Sequence, residues 1–365
     1  MKLYLRILCA FLCAVLIVCM PFFLSSPSVL PEARENTEEN SGEDDDGESL
    51  DFGLFLIPHA MAEEEYSLEE VEIQELSGEK DQLSIPDAWE LPVDDFAIPP
   101  LPDPDCFTEK GYEDQSIRVR VEELQMMESV VHAAYVEIAS PTQLRTATAY
   151  GVSNGRGMLV EEMAKKNQAV IAINGDYFAK DPDKKRFEIR MKQVVTYDFK
   201  RLKTSNVKDT MVIDSHGDLH LLLNKSELSD YYKNNGNDII NAFMFGPALV
   251  VNGEIYTHDN YDYNRTGREP RAAFGQTGPL SYLMVVVEAR GSSKGVSHEK
   301  LAEIMKELGC IQAYNLDGGN SAEMVMPGPD PDKVMFQFRG DQAAKPRALS
   351  DILFFATAVP VEERK

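Results

Sequence analysis

Three segments of this 365-residue chain share one design: an apolar stretch runs into a loop of glycine and short polar residues. The first is Val170-Ile171-Ala172-Ile173-Asn174-Gly175-Asp176-Tyr177-Phe178. Asn174 offers both a donor and an acceptor, and Asp176 a carboxylate. Gly175 permits positive φ and close approach to a ligand. The same string also reads as a plain Asn-Gly turn. The second is Ala313-Tyr314-Asn315-Leu316-Asp317-Gly318-Gly319-Asn320-Ser321. On a strand, Tyr314 and Leu316 share one face and Asn315 and Asp317 the other, so Asp317 closes the strand. Gly318 and Gly319 leave backbone N–H groups open, a nest suited to a phosphate oxygen. Asn320 and Ser321 add neutral hydrogen bonders. The third is Arg268-Glu269-Pro270-Arg271-Ala272-Ala273-Phe274-Gly275-Gln276, with the apolar run Tyr282 to Glu288 and then Ala289-Arg290-Gly291 behind it. Arg271 would point its fork into whatever the strand ends enclose, and that fork matches phosphate in charge and geometry. It could equally make a surface ion pair. Glu288 and Arg290 come near Arg271 if the two strands form a hairpin.

The elements that must hold these loops are mostly strands. Patterning begins near Ile117, where Ile117, Val119 and Val121 alternate with charged residues as in a half-buried strand. Further strands are expected at Val130–Ala139, Ala169–Ile173, Thr210–Ile213, Leu219–Leu223, Ala248–Val251, Ala272–Phe274, Leu283–Glu288, Gln312–Leu316, Glu323–Met326 and Ile352–Ala358. Helices are expected at Met158–Lys166 and His298–Leu308. The second has Ser297 as N-cap, one stripe of Leu301, Ile304, Met305 and Leu308, and Gly309 as its stop. Many strands, few helices and no repeat predict a mixed α/β domain of the α+β type, built on a many-stranded mixed sheet with a few packed helices.

The net charge of -25 is localised. From Glu32 to Asp114 there are 28 acidic and 3 basic residues, which leaves 33 of each sign elsewhere. The chain has no basic surface for a nucleic acid, so none is expected as a partner. Lys2 and Arg6 precede an uncharged apolar run from Ile7 to Leu24, about long enough to cross a bilayer. Residues 1–24 therefore read as an N-terminal membrane anchor or a signal sequence, with the bulk of the chain extracytoplasmic in either case. Residues 25–115 read as an acidic, Pro-rich, disordered linker, and residues 116–361 as the catalytic domain. Of five cysteines, only Cys106 and Cys310 lie beyond the apolar run. They could pair in an oxidising space, or Cys310 could simply be buried.

Taken together and in order, the segments resemble the phosphodiester glycosidase family. Ala172 to Phe178 matches its Ala-Ile-Asn-Gly-(Gly or Asp)-(Tyr or Phe)-Phe loop. Phe245 to Gly253 matches its Phe-Gly-Pro-x-Leu-Val-x-x-Gly segment. Pro270 to Gly275 resembles its Pro-Arg-Thr-Ala-Ile-Gly strand, and Asp317 to Ser321 its Asp-Gly-Gly-Gly-Ser turn. The match runs from about Tyr135 to Val359 and takes in Pro141 to Thr146. Ala272 stands for the usual Thr, Asn320 for the third Gly, and Glu288-Ala289-Arg290 for Asp-Gly-Arg.

The resemblance implies a hydrolase that cleaves a sugar-1-phosphodiester at the anomeric C–O bond, acting on cell-envelope or exopolysaccharide material. An oxocarbenium-like centre calls for a nearby carboxylate, and the departing phosphate for an arginine and backbone amides. Asp317 or Glu288 is expected on the anomeric side and Arg271 on the phosphate side, with Asp176 a further catalytic carboxylate. Asn174, Gly175, Arg290, Gly318, Gly319, Asn320 and Ser321 are expected to bind the phosphate-linked glycan. A calcium or magnesium ion could sit beside Asp176 or Asp317. The loop from Thr257 to Asn264 lacks the EF-hand spacing, and His216 sits in a hairpin tip. No Walker loop or nucleophile elbow is present. A non-catalytic envelope module that binds phosphate-linked polysaccharide through the same cleft is the alternative, and an assembly protein working through its acidic stalk is the third reading.

Overall fold

The computed structural model describes residues 83–93, 97–151, 156–176, 187–196, 208–256 and 266–364. The expected anchor, most of the expected linker, Tyr177, Phe178 and the loop at 257–264 lie outside the described residues. Among the described residues no helix is long and apolar enough to cross a membrane.

In chain order the strands and helices are β1 (Phe107–Thr108), β2 (Gly111–Glu113), β3 (Ile117–Met126), β4 (Ser129–Ile138), β5 (Leu144–Thr148), α1 (Val160–Lys166), β6 (Ile171–Asn174), β7 (Glu188–Arg190) and β8 (Gln193–Thr196). They continue with β9 (Thr210–Asp214), β10 (Leu219–Leu222), α2 (Lys225–Asn235), β11 (Ile239–Phe243), β12 (Ala248–Val251), β13 (Glu254–Ile255), β14 (Arg271–Gly278) and β15 (Ser281–Val287). The last are α3 (His298–Glu307), β16 (Gln312–Asn315), β17 (Glu323–Met326), β18 (Phe336–Arg339) and β19 (Asp351–Phe355).

The α+β class is as expected. The strands divide among three sheets with antiparallel ladders, where the sequence suggested one mixed sheet: β1-β2-β3-β4-β15-β14-β16-β12-β13, β10-β9-β11-β7-β8, and β18-β17-β6-β19-β5. The nine-stranded sheet is buried on both faces. Tyr282, Met284 and Val286 of β15 pack with Ile171, Ile173, Leu353 and Phe355 of the β18-β17-β6-β19-β5 sheet. Leu283, Val285 and Val287 point the other way, onto Leu301, Ile304 and Met305 of α3. Alternate residues of one strand thus serve two cores, which is why β15 reads as an unbroken apolar run. On the outer face of the β18-β17-β6-β19-β5 sheet, Val160, Met163 and Ala164 of α1 cover Ala172, Val325 and Phe354. Through this part of the molecule the order is α3, the nine-stranded sheet, the β18-β17-β6-β19-β5 sheet and α1, while the β10-β9-β11-β7-β8 sheet lends Met211, Ile213, Leu219 and Phe243 to the shared core.

Helix α3 begins and ends as expected. The Ser297 hydroxyl accepts from Lys300 N, and Gly309 takes the left-handed φ of 93° that stops the helix. Helix α2 is mostly polar; it fully buries only Leu228, with Tyr231 and Tyr232 packed partly against the same core. Its start is set by Asn224, whose side chain accepts from Ser226 N and Glu227 N. Cys106 and Cys310 are both free thiols, and burial pushes the Cys310 thiol up to about 12.

The last part of the segment read as linker is built into this body. β1 and β2 extend the nine-stranded sheet, and the Tyr112 ring is buried in the shared core. Leu91 N donates to Thr142 Oγ1 at 3.2 Å. The buried Arg145 guanidinium donates to Thr142 O at 3.2 Å, Pro92 O at 3.0 Å and Ala97 O at 3.2 Å. Charged composition concealed this, because a strap held by its main-chain carbonyls needs few apolar side chains. Arg145→Ala should remove these bonds, leave part-buried carbonyls unmatched and empty a buried site, at a cost of about 2–4 kcal/mol. Thermal denaturation and limited proteolysis check it: the midpoint should fall and cleavage near residues 92–97 should accelerate.

Candidate active site

The apolar strand β6 carries its polar loop to the rim of the sheet, where three other strand ends meet it. Asn174 is fully buried. Its Nδ2 donates to Gly175 O at 2.9 Å and Asp317 O at 2.8 Å, and its Oδ1 accepts from Glu323 N at 3.0 Å. The amide expected to bind substrate instead ties the β6 loop to the turn after β16, so Asn174 is a positioning residue. Asp317 N donates to Gly175 O at 3.3 Å, and Gly175 N to Asp351 O at 3.0 Å. Gly175 is required for close approach: a Cβ there would lie 2.4 Å from Asp351 Oδ1.

Around this junction lies a buried charge cluster that the sequence reading did not foresee. Arg190, wholly buried, extends over the Phe243 ring with Cζ 3.6 Å from its centroid. Its Nε donates to Asp351 Oδ2 at 2.6 Å, its Nη1 reaches Glu188 Oε2 at 3.2 Å, and its Nη2 lies 3.4 Å from Asp176 Oδ2. Burial alone would lower the guanidinium pKa, but Asp351, Asp176 and Glu188 outweigh it and hold the group above the usual arginine range. Asp351 is pushed the other way. Burial raises its carboxyl, Arg190 lowers it, and the neighbouring Asp176 and Asp317 raise it again, leaving it at about 7. The position a cation would take among these carboxylates is filled by Arg190. Among the described residues no cluster of three or more His, Cys, Asp or Glu is arranged to hold a metal ion.

The turn after β16 faces this cluster on one side and Arg271 on the other. A Cβ on Gly318 would meet Pro270 O at 2.8 Å and Arg271 Cα and Cδ at 3.8 Å. Gly319 adopts φ 61° and donates its N–H to Pro270 O at 2.9 Å. The paired glycines therefore let the turn lie flat on the start of β14. Part of the expected nest is engaged, since the Gly319 amide is bonded to the protein. Arg271 is 6% exposed. Its Nε and Nη2 donate to Val296 O and Gly267 O, both at 3.0 Å, and its Nη1 meets His298 Nε2 at 2.9 Å. Burial lowers its pKa to about 10 against the pull of Glu269.

The other expected residues separate. Ser321 is buried, and its Oγ accepts from Arg347 Nη1 at 3.1 Å. Arg290 spans the outer rim: Nη1 donates to Asn320 Oδ1 at 2.7 Å and Asp341 Oδ2 at 2.8 Å, and Nη2 to Glu269 Oε2 at 2.7 Å. Glu288, expected to pair with Asp317, is held elsewhere. Its Oε1 is 2.8 Å from His132 Nε2 and accepts from Gln342 Nε2 at 3.0 Å, with His132 stacked on Phe338. The β14–β15 hairpin forms as expected, but alternation turns Glu288 away from the Asp317 turn. The carboxylate beside that turn is Asp351. Its one sequence signal is a charged residue abutting the apolar run Ile352 to Phe355. Glu188 and Arg190 alternate with Phe187 and Ile189, which reads as a solvated strand face.

Asp351 makes stability depend on pH. Its folded pKa lies above the ordinary carboxylate value, so the folded state binds the extra proton. That contribution is complete below about pH 4 and is lost as pH rises through about 7. Wild-type protein should thus lose stability between pH 5 and pH 8 relative to Asp351→Asn, which cannot titrate. Thermal midpoints of both proteins across that range check it; parallel curves would contradict it.

Comparison with known proteins identifies the family. A family model described as phosphodiester glycosidase matches residues 167–356, more than half of the chain. The SPbeta prophage-derived uncharacterized protein YomE of Bacillus subtilis (strain 168) is 24% identical over 185 residues, 50% of this chain and 28% of that protein. The chain thus spans less than a third of that relative's length. Among solved structures, the zebrafish N-acetylglucosamine-1-phosphodiester alpha-N-acetylglucosaminidase catalytic domain, auto-inhibited by its pro-peptide, matches with a TM-score of 0.49 and 18% identity, covering 66% of this chain and 83% of its own. A hypothetical protein from Synechocystis matches with a TM-score of 0.45 and 13% identity, covering 67% and 62%. With the family model running from just before β6, which ends in Asn174, to just past β19, which begins at Asp351, the chain belongs to the phosphodiester glycosidase family.

Proposed function

We propose that this protein hydrolyses a sugar-1-phosphodiester at the anomeric C–O bond. One observation carries the reading: the Asp317-Gly318 turn lies between a group of carboxylates and a buried arginine. A phosphodiester is already a good leaving group, so the enzyme's task is mainly to place charge. Asp317, half-buried, takes the anomeric side, where a carboxylate steadies developing positive charge. Arg271 takes the phosphate side, where its guanidinium meets the charge that grows on the departing oxygen. Asp176 is fixed by Arg190 behind Asp317. Asp351 holds the proton that lets three carboxylates crowd one guanidinium, and it can exchange that proton near neutrality.

The setting we propose is extracytoplasmic, on phosphate-linked glycan of the cell envelope or exopolysaccharide. It is supported by Lys2 and Arg6 before the uncharged run Ile7 to Leu24. Protease added to intact cells should then degrade the catalytic domain, and full protection would contradict the placement.

The catalytic assignment is tested by measuring kcat and the thermal midpoint together. Asp317→Asn keeps size and removes charge, so turnover of a sugar-1-phosphodiester should fall roughly 10²–10⁴-fold with the fold intact. Arg271→Lys keeps charge and loses the fork, so it too should lower turnover. If Asp317 only closes a turn, the first variant would instead lose about 1 kcal/mol of stability and turn over normally.

A further inference from the structure

On the side of the turn away from Asp176, the ends of β14 and β16 and the start of α3 gather a second set of buried polar groups. Asn315 pairs in register with Ala273, and Ala273 and Ala313 pack against Leu301 and Ala302 of α3. Arg271, Ala273 and Asn315 therefore share the α3 face of the sheet, with His298 above them as the first residue of α3. His298 is 7% and Asn315 3% exposed.

The proton on His298 is placed by its neighbour. Arg271 can only donate, so His298 Nε2 accepts from it at 2.9 Å, and a neutral ring then carries its hydrogen on Nδ1. Burial, with Arg271 and Lys208 nearby, keeps the ring neutral by lowering its pKa to about 3. Nδ1 is buried and has no hydrogen-bond partner. Asn315 Nδ2 donates to Gly246 O at 2.9 Å, which fixes the amide and makes the other atom an acceptor. That Oδ1 is likewise buried without a hydrogen-bond partner. One donor and one acceptor, buried on the same face beside a desolvated arginine, call for a molecule that can answer both.

The geometry points to a ligand subsite here for a phosphorylated polyol: His298 Nδ1–H donates to a phosphoryl oxygen, and Asn315 Oδ1 accepts from a hydroxyl of the same molecule. Lys208, exposed, with Nζ 5.6 Å from the Phe245 ring centroid, adds positive charge at the rim. The inference rests on the reading of Arg271 as the phosphate-side residue and adds a neutral donor to the phosphate, His298, and an acceptor, Asn315, that selects what the phosphate is attached to. A trapped water that satisfies both atoms is the alternative, and Asp209, buried and accepting from Ala248 N, and Glu269 offset part of the positive charge of Arg271 and Lys208.

Calorimetric titration of the full chain with glycerol 3-phosphate and with inorganic phosphate, at one pH and ionic strength, tests it. Glycerol 3-phosphate should bind more tightly than phosphate. His298→Gln retains an oxygen to accept from Arg271 and loses the Nδ1 donor, so both probes should bind about tenfold more weakly with little change in the thermal midpoint. Asn315→Ala should abolish the preference for the polyol. No binding of either probe to wild type, or unchanged binding in His298→Gln, overturns the subsite and indicates a buried water only. Binding as expected without hydrolysis of sugar-1-phosphodiesters would strike the proposed reaction and leave the subsite. Hydrolysis with an unchanged KM in His298→Gln would strike the subsite and leave the reaction.

Discussion

The charge on Arg190 is the constraint around which the site is organised. Taking a guanidinium fully out of water is unfavourable unless its donors and charge are met, and here Asp351, Glu188 and Asp176 meet them from three parts of the chain. Removing one partner from such a cluster typically costs about 3–5 kcal/mol, because the remaining charge is stranded in a low dielectric. The cluster can therefore form only when β7, β19 and the loop after β6 are all in place. It couples the geometry of Asp176 to the packing of two sheets. It also leaves more carboxylates than cations, which is why Asp351 keeps a proton to about neutral pH.

The turn after β16 converts that rigidity into a site. Asn174 holds Asp317 O, the Gly175 carbonyl accepts from Asp317 N, and Gly318 and Gly319 lie against Pro270. Each bond is between main chain and a buried group, so Asp317 is aimed by backbone that has little freedom to move. Glycine is needed at 175 and 318 for the same reason: a methyl group would collide with Asp351 or with Pro270 O. Such precision on loops requires a stiff support. The double-faced nine-stranded sheet supplies it, with α3 on one side and the β18-β17-β6-β19-β5 sheet on the other.

Local pattern was enough to find β15, α3 and the three glycine-rich loops. Each carries its information within about ten residues: an apolar run, a helical stripe with its caps, a strand leading into an Asn-Gly or Gly-Gly turn. The order of those loops also pointed to the phosphodiester glycosidase family, which the family model over residues 167–356 bears out. Helix α2 is hard to read because it is mostly polar and its stripe is only Leu228, Tyr231 and Tyr232. The segments 83–93 and 97–113 are hard to read because main-chain carbonyls, which sequence does not display, anchor them to Arg145.

By itself, then, the sequence determined which strands end in polar turns and that Asp176, Arg271 and Asp317 stand at those ends. Only the tertiary structure decided which of them meet. Glu288 follows Arg271's partner strand yet turns to His132, because successive strand residues face opposite sides. Asp351 lies 34 positions beyond Asp317 yet adjoins Gly175, because β19 pairs with β6. The fate of a charged residue on a short strand depends on what covers that strand. Alternation at residues 187–190 is the pattern of a half-solvated strand, yet Glu188 and Arg190 are wholly buried in the structure. Burial is a property of neighbours distant in sequence, and it alone turned an ordinary Glu-Ile-Arg into the centre of the site.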